Sequence, residues 1–235
     1  MSLAKKLFRL TGDCILRGPF KGMICIADSV CSSLGPKILG TYEQKLHNAV
    51  LEMIASKPSS IVDVGAAEGY YAIGFARALP GCQATALEAT LEGKQTLLQL
   101  AQRNGVSNRV DPCRFGTRND LENFLASNPV DGMIMDVEGA EEELLSGPIP
   151  ALLKRTILLV ELHDFGSGKI REPLVERFHK THIVEEIKAG ERSPRDISSP
   201  LLRLFTILLR LIGLDYLYER QPRMSLLFIT PPILT

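Results

Sequence analysis

Apolar positions along this chain fall into two alternating kinds of run. Short runs rich in apolar residues and bounded by Gly, Pro or charge cover residues 61–64, 83–88, 132–137, 156–162, 182–188 and 224–230, with a weaker one at 109–115. Runs of that length predict strands, most of them buried on both faces. Between them lie segments with helical spacing. Over 41–57, Leu46, Val50, Leu51 and Ile54 recur on one face and Pro58 limits the run. Further helices are predicted at 70–78, 91–104, 120–126, 170–180 and 200–214, with Asn104-Gly105 closing the third of these six in a C-cap pattern. Seven strands alternating with helices predict an α/β domain. Its sheet is mostly parallel, with right-handed crossovers and helices on both faces. This domain is expected over 58–235, preceded by a helical lead-in (1–57) packed on it and carrying an insertion at about 189–223.

The junction of the first strand and its helix carries the densest chemical signal. It reads Ile61-Val62-Asp63-Val64-Gly65-Ala66-Ala67-Glu68-Gly69-Tyr70. Gly65 and Gly69 allow a sharp turn and close approach of a ligand. The helix that follows presents unpaired N–H groups to the crevice. The dinucleotide fingerprint G-x-G-x-x-G is not matched, because Ala67 and Tyr70 take its second and third glycine positions. That argues against a diphosphate cofactor such as NAD or FAD. Glu88 ends the second strand about twenty residues on, where a carboxylate accepts ribose hydroxyls. A ribose-binding acid without a diphosphate turn fits S-adenosylmethionine. Its carboxylate is expected at the amides of Gly65 and Ala66, and its ammonium at Asp63. The plain alternative is an ordinary strand-to-helix turn.

Two later segments narrow the reading. Residues 131–141 read Asp-Gly-Met-Ile-Met-Asp-Val-Glu-Gly-Ala-Glu, and residues 157–163 read Ile-Leu-Leu-Val-Glu-Leu-His. With these the chain resembles the class I S-adenosylmethionine-dependent methyltransferases, most of all the FkbM-type branch. There a strand ending in Asp-Val-Glu-Gly-Ala-Glu is a signature, and the next strand ends in an acid and a His. The upstream phrases at 17–23 and 39–43 resemble the lead-in of a subgroup of such proteins. The resemblance covers 61–163 well. It implies a Rossmann-like methyltransferase fold with an antiparallel last strand, which makes 58–235 a methyltransferase catalytic domain. It also implies methyl transfer, chiefly to oxygen.

In such a sheet the ligand crevice lies beyond the carboxyl ends of the strands. Asp136 and Glu138 are expected to end the fourth strand, and Glu161 and His163 the fifth, so the four converge. Asp136 is expected to face the methyl group and the acceptor. His163 is the candidate general base, with Glu161 or Glu138 to orient it. In the plainer alternative His163 binds backbone and Glu141 complements a helix N-terminus. The loop 115–119, with Gly116 and Thr117, is expected to supply the adenine slot. Asp136, Glu138, Glu161, His163 and Asp164 are all metal-ligand types, but their spacing matches no metal motif and no metal is expected.

Composition removes other classes. Lys and Arg total 27 against 27 for Asp and Glu, and that balance disfavours nucleic acid as the partner. A small-molecule or glycan-like acceptor is expected instead. The five cysteines form no C-x-x-C pair, so neither a disulfide framework nor a zinc site is suggested. A reducing, cytoplasmic setting follows. The first residues lack the apolar core of a secretory signal. The segment 200–214, interrupted by Arg203 and Arg210, is too short to span a bilayer. Its Leu201, Leu204, Leu208 and Leu211 are expected to bury against the domain or a second subunit, as in a homodimer. Two rival functions stand beside methyl transfer: a methyltransferase-like scaffold without turnover, and a nucleotide-cofactor enzyme on the same sheet.

Overall fold

A computed structural model describes residues 12–26, 34–114, 116–163, 170–188, 200, 203–204, 207–208 and 225–232. Seven strands form one sheet: β1 (Ser60–Val64), β2 (Gln83–Glu88), β3 (Val110–Arg114), β4 (Gly132–Met135), β5 (Ile157–Leu162), β6 (Ile183–Lys188) and β7 (Ser225–Thr230). Their order is β3-β2-β1-β4-β5-β7-β6. The first five are mutually parallel, and β7 runs antiparallel between β5 and β6. The expected mostly parallel, seven-stranded α/β sheet with an antiparallel last strand is therefore present. The strand order reverses between β1 and β4, the switch point at whose carboxyl ends the ligand crevice of such a sheet lies.

Alternation along each strand divides the core in two. Ile61, Ile134, Leu159 and Phe228 face one side. There they meet α3 (Tyr70–Ala78), α4 (Leu91–Arg103) and the upstream segment with α1 (Leu34–Leu39) and α2 (His47–Ala55). Val62, Met133, Val160 and Leu227 face the other side. They pack on α5 (Arg118–Ser127), α6 (Glu141–Leu144), α7 (Ile149–Leu152) and α8 (Arg171–Phe178). Phe20 lies so close to α3 that a Cβ at Gly74 would stand 2.6 Å from its ring. Lys37, itself buried, pairs with buried Glu68 in the turn before α3.

Several element boundaries differ from the sequence expectation. The helix expected over 41–57 begins at His47, after a single 3-10 turn at Gln44–Leu46. Glu43 sits in the left-handed region at φ 46°, which breaks the helical path. The fourth strand stops at Met135 rather than 137. Asp136 N–H still bonds Val64 O at 3.0 Å, but Glu138 (φ 55°) and Gly139 (φ 108°) then turn the chain away. Helices α6 and α7 are one turn each, too short to leave a periodic signal. Of the segment 200–214, Pro200, Arg203, Leu204, Ile207 and Leu208 are helical. Leu204 and Leu208 are 56% and 53% exposed, so they do not bury against the domain. Leu201, Arg210, Leu211 and the insertion at 189–199 lie outside the described residues. Among the described residues, no helix is long and apolar enough to cross a membrane.

Candidate active site at the carboxyl ends of the strands

The turn after β1 is built on its own backbone. Gly65 N–H and Ala66 N–H both donate to Leu87 O, at 2.9 and 3.2 Å. Gly69 N–H donates to Ala66 O at 2.7 Å. The two amides expected to receive a cofactor carboxylate are thus already given to β2. Gly65 has φ 84°, and a Cβ there would collide with the carbonyl oxygen of Asp136. Gly69, at φ 86°, opens α3, and a Cβ on it would stand 2.8 Å from Leu97 Cγ. Both glycines therefore admit close packing by the protein itself.

Two acids brace the turn. Glu88 ends β2 and is buried. One carboxylate oxygen accepts Ala67 N–H at 2.8 Å; the other accepts Thr90 N–H at 2.8 Å and its hydroxyl at 2.6 Å. It sits where the sequence places a ribose acceptor, and the oxygen that accepts Ala67 N–H keeps a second lone pair for a hydroxyl. Ala67 is at φ 47°, a strained region for a residue with a side chain, and the bond from Glu88 holds it there. Asp63 accepts Ala72 N–H at 3.0 Å, an amide in the first turn of α3. It supplies the side-chain cap that Gly69 cannot. Burial pushes the Asp63 carboxyl up to about 7; the Ala72 bond opposes this, and nearby Asp136, Glu43 and Glu88 add to it. Its place as acceptor for an ammonium is thus shared with a structural duty.

Across the crevice, the strand ends of β4 and β5 meet. His163 follows β5 and is buried, as are Glu161 and Glu141. His163 Nδ1 lies 2.6 Å from Glu141 Oε1. Its Nε2 lies 3.3 Å from Glu138 Oε2, 3.5 Å from Asp136 Oδ1 and 3.9 Å from Glu161 Oε1. All four expected residues converge, but the orienting partner differs from the expectation. It is Glu141, not Glu161 or Glu138. Glu141 is the first residue of α6, so its sequence context reads only as a helix start. Burial pushes the imidazole down. The Glu141 hydrogen bond and the charges of Asp136, Glu141 and Glu138 outweigh it, and His163 is net raised above the usual range.

No protein-family model matches the chain, and no curated protein sequence matches it. Solved structures do. The cofactor-bound Rv0187 protein from MTB is 15% identical, with a TM-score of 0.51 and 76% of each chain covered. A precorrin-6y C5,15-methyltransferase from Geobacter metallireducens is 11% identical, with a TM-score of 0.51; 79% of this chain and 88% of that one are covered. A protein from Klebsiella pneumoniae proposed to be an O-methyltransferase is 15% identical. Its TM-score is 0.50, with 88% and 83% covered. The chain has the class I methyltransferase fold.

Within that fold, Gly116 and Thr117 follow β3 as expected, and both serve α5. Thr117 and Asp120 form a reciprocal capping box, with Asp120 N–H bonding Thr117 Oγ1 at 3.2 Å. Asp120 Oδ2 accepts Thr117 N–H at 2.9 Å and Gly116 N–H at 3.2 Å. Thr117-x-x-Asp120 was readable as a cap in the sequence. Phe115 and Asp164 lie outside the described residues. Tyr70 packs edge-on against Phe20, Tyr42 and Tyr71, which makes it a core aromatic of α3. Asp136, Glu161 and His163 each offer one atom of metal-ligand type, and those atoms lie within 4.8 Å of one another.

Proposed function

We propose that this chain is an S-adenosylmethionine-dependent methyltransferase of the FkbM type, acting on oxygen of a small-molecule or glycan-like acceptor. The observation that carries this reading is the convergence of Asp136, Glu138, Glu161 and His163, opposite a turn braced by Glu88, at the switch point of the sheet. The neighbours that are themselves called methyltransferases support it at the level of fold. Among the described residues Cys14, Cys25, Cys82 and Cys113 are free thiols, in keeping with the proposed reducing, cytoplasmic setting.

In this reading Glu88 accepts the ribose hydroxyls, and Asp63, Gly65, Ala66 and Gly69 shape the floor beneath the methionine moiety. Gly116 and Thr117 border the adenine. The residues of the acceptor end hold a hydroxyl against the sulfonium methyl, and orientation supplies much of the acceleration. The acceptor oxygen forms a bond to the methyl carbon as the sulfur–carbon bond breaks and its electron pair returns to sulfur. S-adenosylhomocysteine leaves. The hydroxyl proton departs at the same end, where His163 is the candidate to receive it and Asp136 faces the methyl.

Incubation with methyl-labelled S-adenosylmethionine and pools of small hydroxylated molecules and glycans tests the reaction. The proposal expects label in an acceptor with wild-type protein and much slower labelling with His163→Ala. Cofactor binding without labelling of any pool would favour the scaffold alternative.

A further inference from the structure

We infer that Asp136, Glu161 and His163 form a site for one divalent transition-metal cation, of the manganese, iron or zinc class. The inference does not rest on methyl transfer, because the site is defined without cofactor or acceptor.

The geometry matches a coordination shell. In a tetrahedral shell with bonds of about 2.1 Å, ligand atoms stand about 3.4 Å apart. His163 Nε2 and Asp136 Oδ1 are 3.5 Å apart, and His163 Nε2 and Glu161 Oε1 are 3.9 Å apart. The three ligand atoms fall within 4.8 Å, so a central ion needs shifts of tenths of an ångström. The ligands come from the ends of two adjacent, hydrogen-bonded strands, so the backbone already fixes their separation.

The second observation concerns the far side of the imidazole. Nδ1 lies 2.6 Å from the carboxylate of Glu141, which is fully buried. A carboxylate in that position holds the Nδ1–H tautomer and directs the Nε2 lone pair outward, the arrangement that supports a metal-bound histidine. Here Nε2 is directed at carboxylate oxygens. A cation between them takes the place of the proton that Nε2 and these oxygens otherwise share, and makes three bonds. One nitrogen and two oxygen ligands suit manganese, iron or zinc better than calcium, which prefers oxygen alone. Glu138, at the exposed rim, lies 3.3 Å from Nε2 and is positioned to take a proton from a hydroxyl on the cation. With the cation in place, Nε2 is a ligand, and the proton acceptor becomes Glu138 instead of His163.

Manganese titration of chelator-stripped protein, followed by the loss of the free-ion electron paramagnetic resonance signal, tests the site. The result expected is saturation at about one ion per chain, competed by zinc. Asp136→Asn and His163→Gln each abolish that binding while the thermal melt stays cooperative. Glu141→Gln weakens it by about 10–100-fold, the range for a partner behind a ligand. Glu142→Gln, a change in a neighbouring acid outside the cluster, leaves it unaltered. If folded wild-type protein leaves the manganese signal unchanged, or if Asp136→Asn and His163→Gln bind like wild type, the site does not exist. Calorimetry with S-adenosylhomocysteine on the same samples reports the cofactor reading separately.

Discussion

The α-carbon of Gly65 packs directly beneath the backbone carbonyl of Asp136. One residue belongs to the turn after β1 and the other to the acid cluster after β4. Their contact joins the two halves of the crevice without any side chain. Asp136 N–H also bonds Val64 O at 3.0 Å, so the peptide on each side of Asp136 is registered against β1.

Gly65→Ala is therefore expected to destabilise the chain by about 2 kcal/mol or more, from left-handed strain together with the collision at Asp136 O. Thermal unfolding checks this. A midpoint within about 2 °C of wild type would mean that the contact yields easily.

Glu88→Ala removes the charged acceptor expected to bind ribose and also unties Ala67 N–H and Thr90. Affinity for S-adenosylhomocysteine is expected to fall by about 1.5–3 kcal/mol, the range for hydrogen bonds to a charged group. Unchanged affinity in calorimetry would remove Glu88 from the site.

Asp63→Asn is expected to stabilise the protein in a pH-dependent way. Burial raises the Asp63 carboxyl from 3.8 to about 7 in the folded state. The folded chain thus binds that proton more tightly than the unfolded chain. This contribution is fully present below about pH 4 and is lost as pH rises through 7. The gap sets an upper bound of about 4 kcal/mol. Asn keeps an oxygen for Ala72 N–H, so the gain over wild type grows from pH 4 to 7 and then levels. Melts at pH 5 and pH 8 compare the two; an equal difference at both would contradict the assignment.

The Lys37–Glu68 pair ties the segment before α2 to the turn before α3. Both side chains are 6% exposed or less. Lys37→Met removes this cation from buried Glu68 and is expected to cost up to about 3–5 kcal/mol. Lys37→Met with Glu68→Gln is expected to recover most of that loss. Additive losses in a double-mutant cycle of denaturant midpoints would show that the two side chains do not interact.

The sheet was legible because β1, β2, β4, β5 and β7 are mostly buried and stand out as short apolar runs between turn residues. Gly65, Glu88 and the acids after β4 and β5 were legible as residue types at telling positions. What they touch was not. Gly65 reads as room for a ligand, yet Asp136, 71 residues on, fills that space. The run 132–137 reads as one strand. Its end is set by the left-handed backbone at Glu138, which local sequence does not announce. Glu141 reads as the acid of a helix start, and its partner His163 comes 22 residues later. Asp63 and Thr117 read as ligands' partners and also cap helices, because a residue at a strand end sits beside the next helix's first amides.

Calorimetric titration of the wild-type chain with S-adenosylmethionine, S-adenosylhomocysteine and NAD bears most directly on the account. The account predicts saturable binding of the first two and none of NAD. Binding of NAD with no heat from either sulfur nucleoside would contradict it.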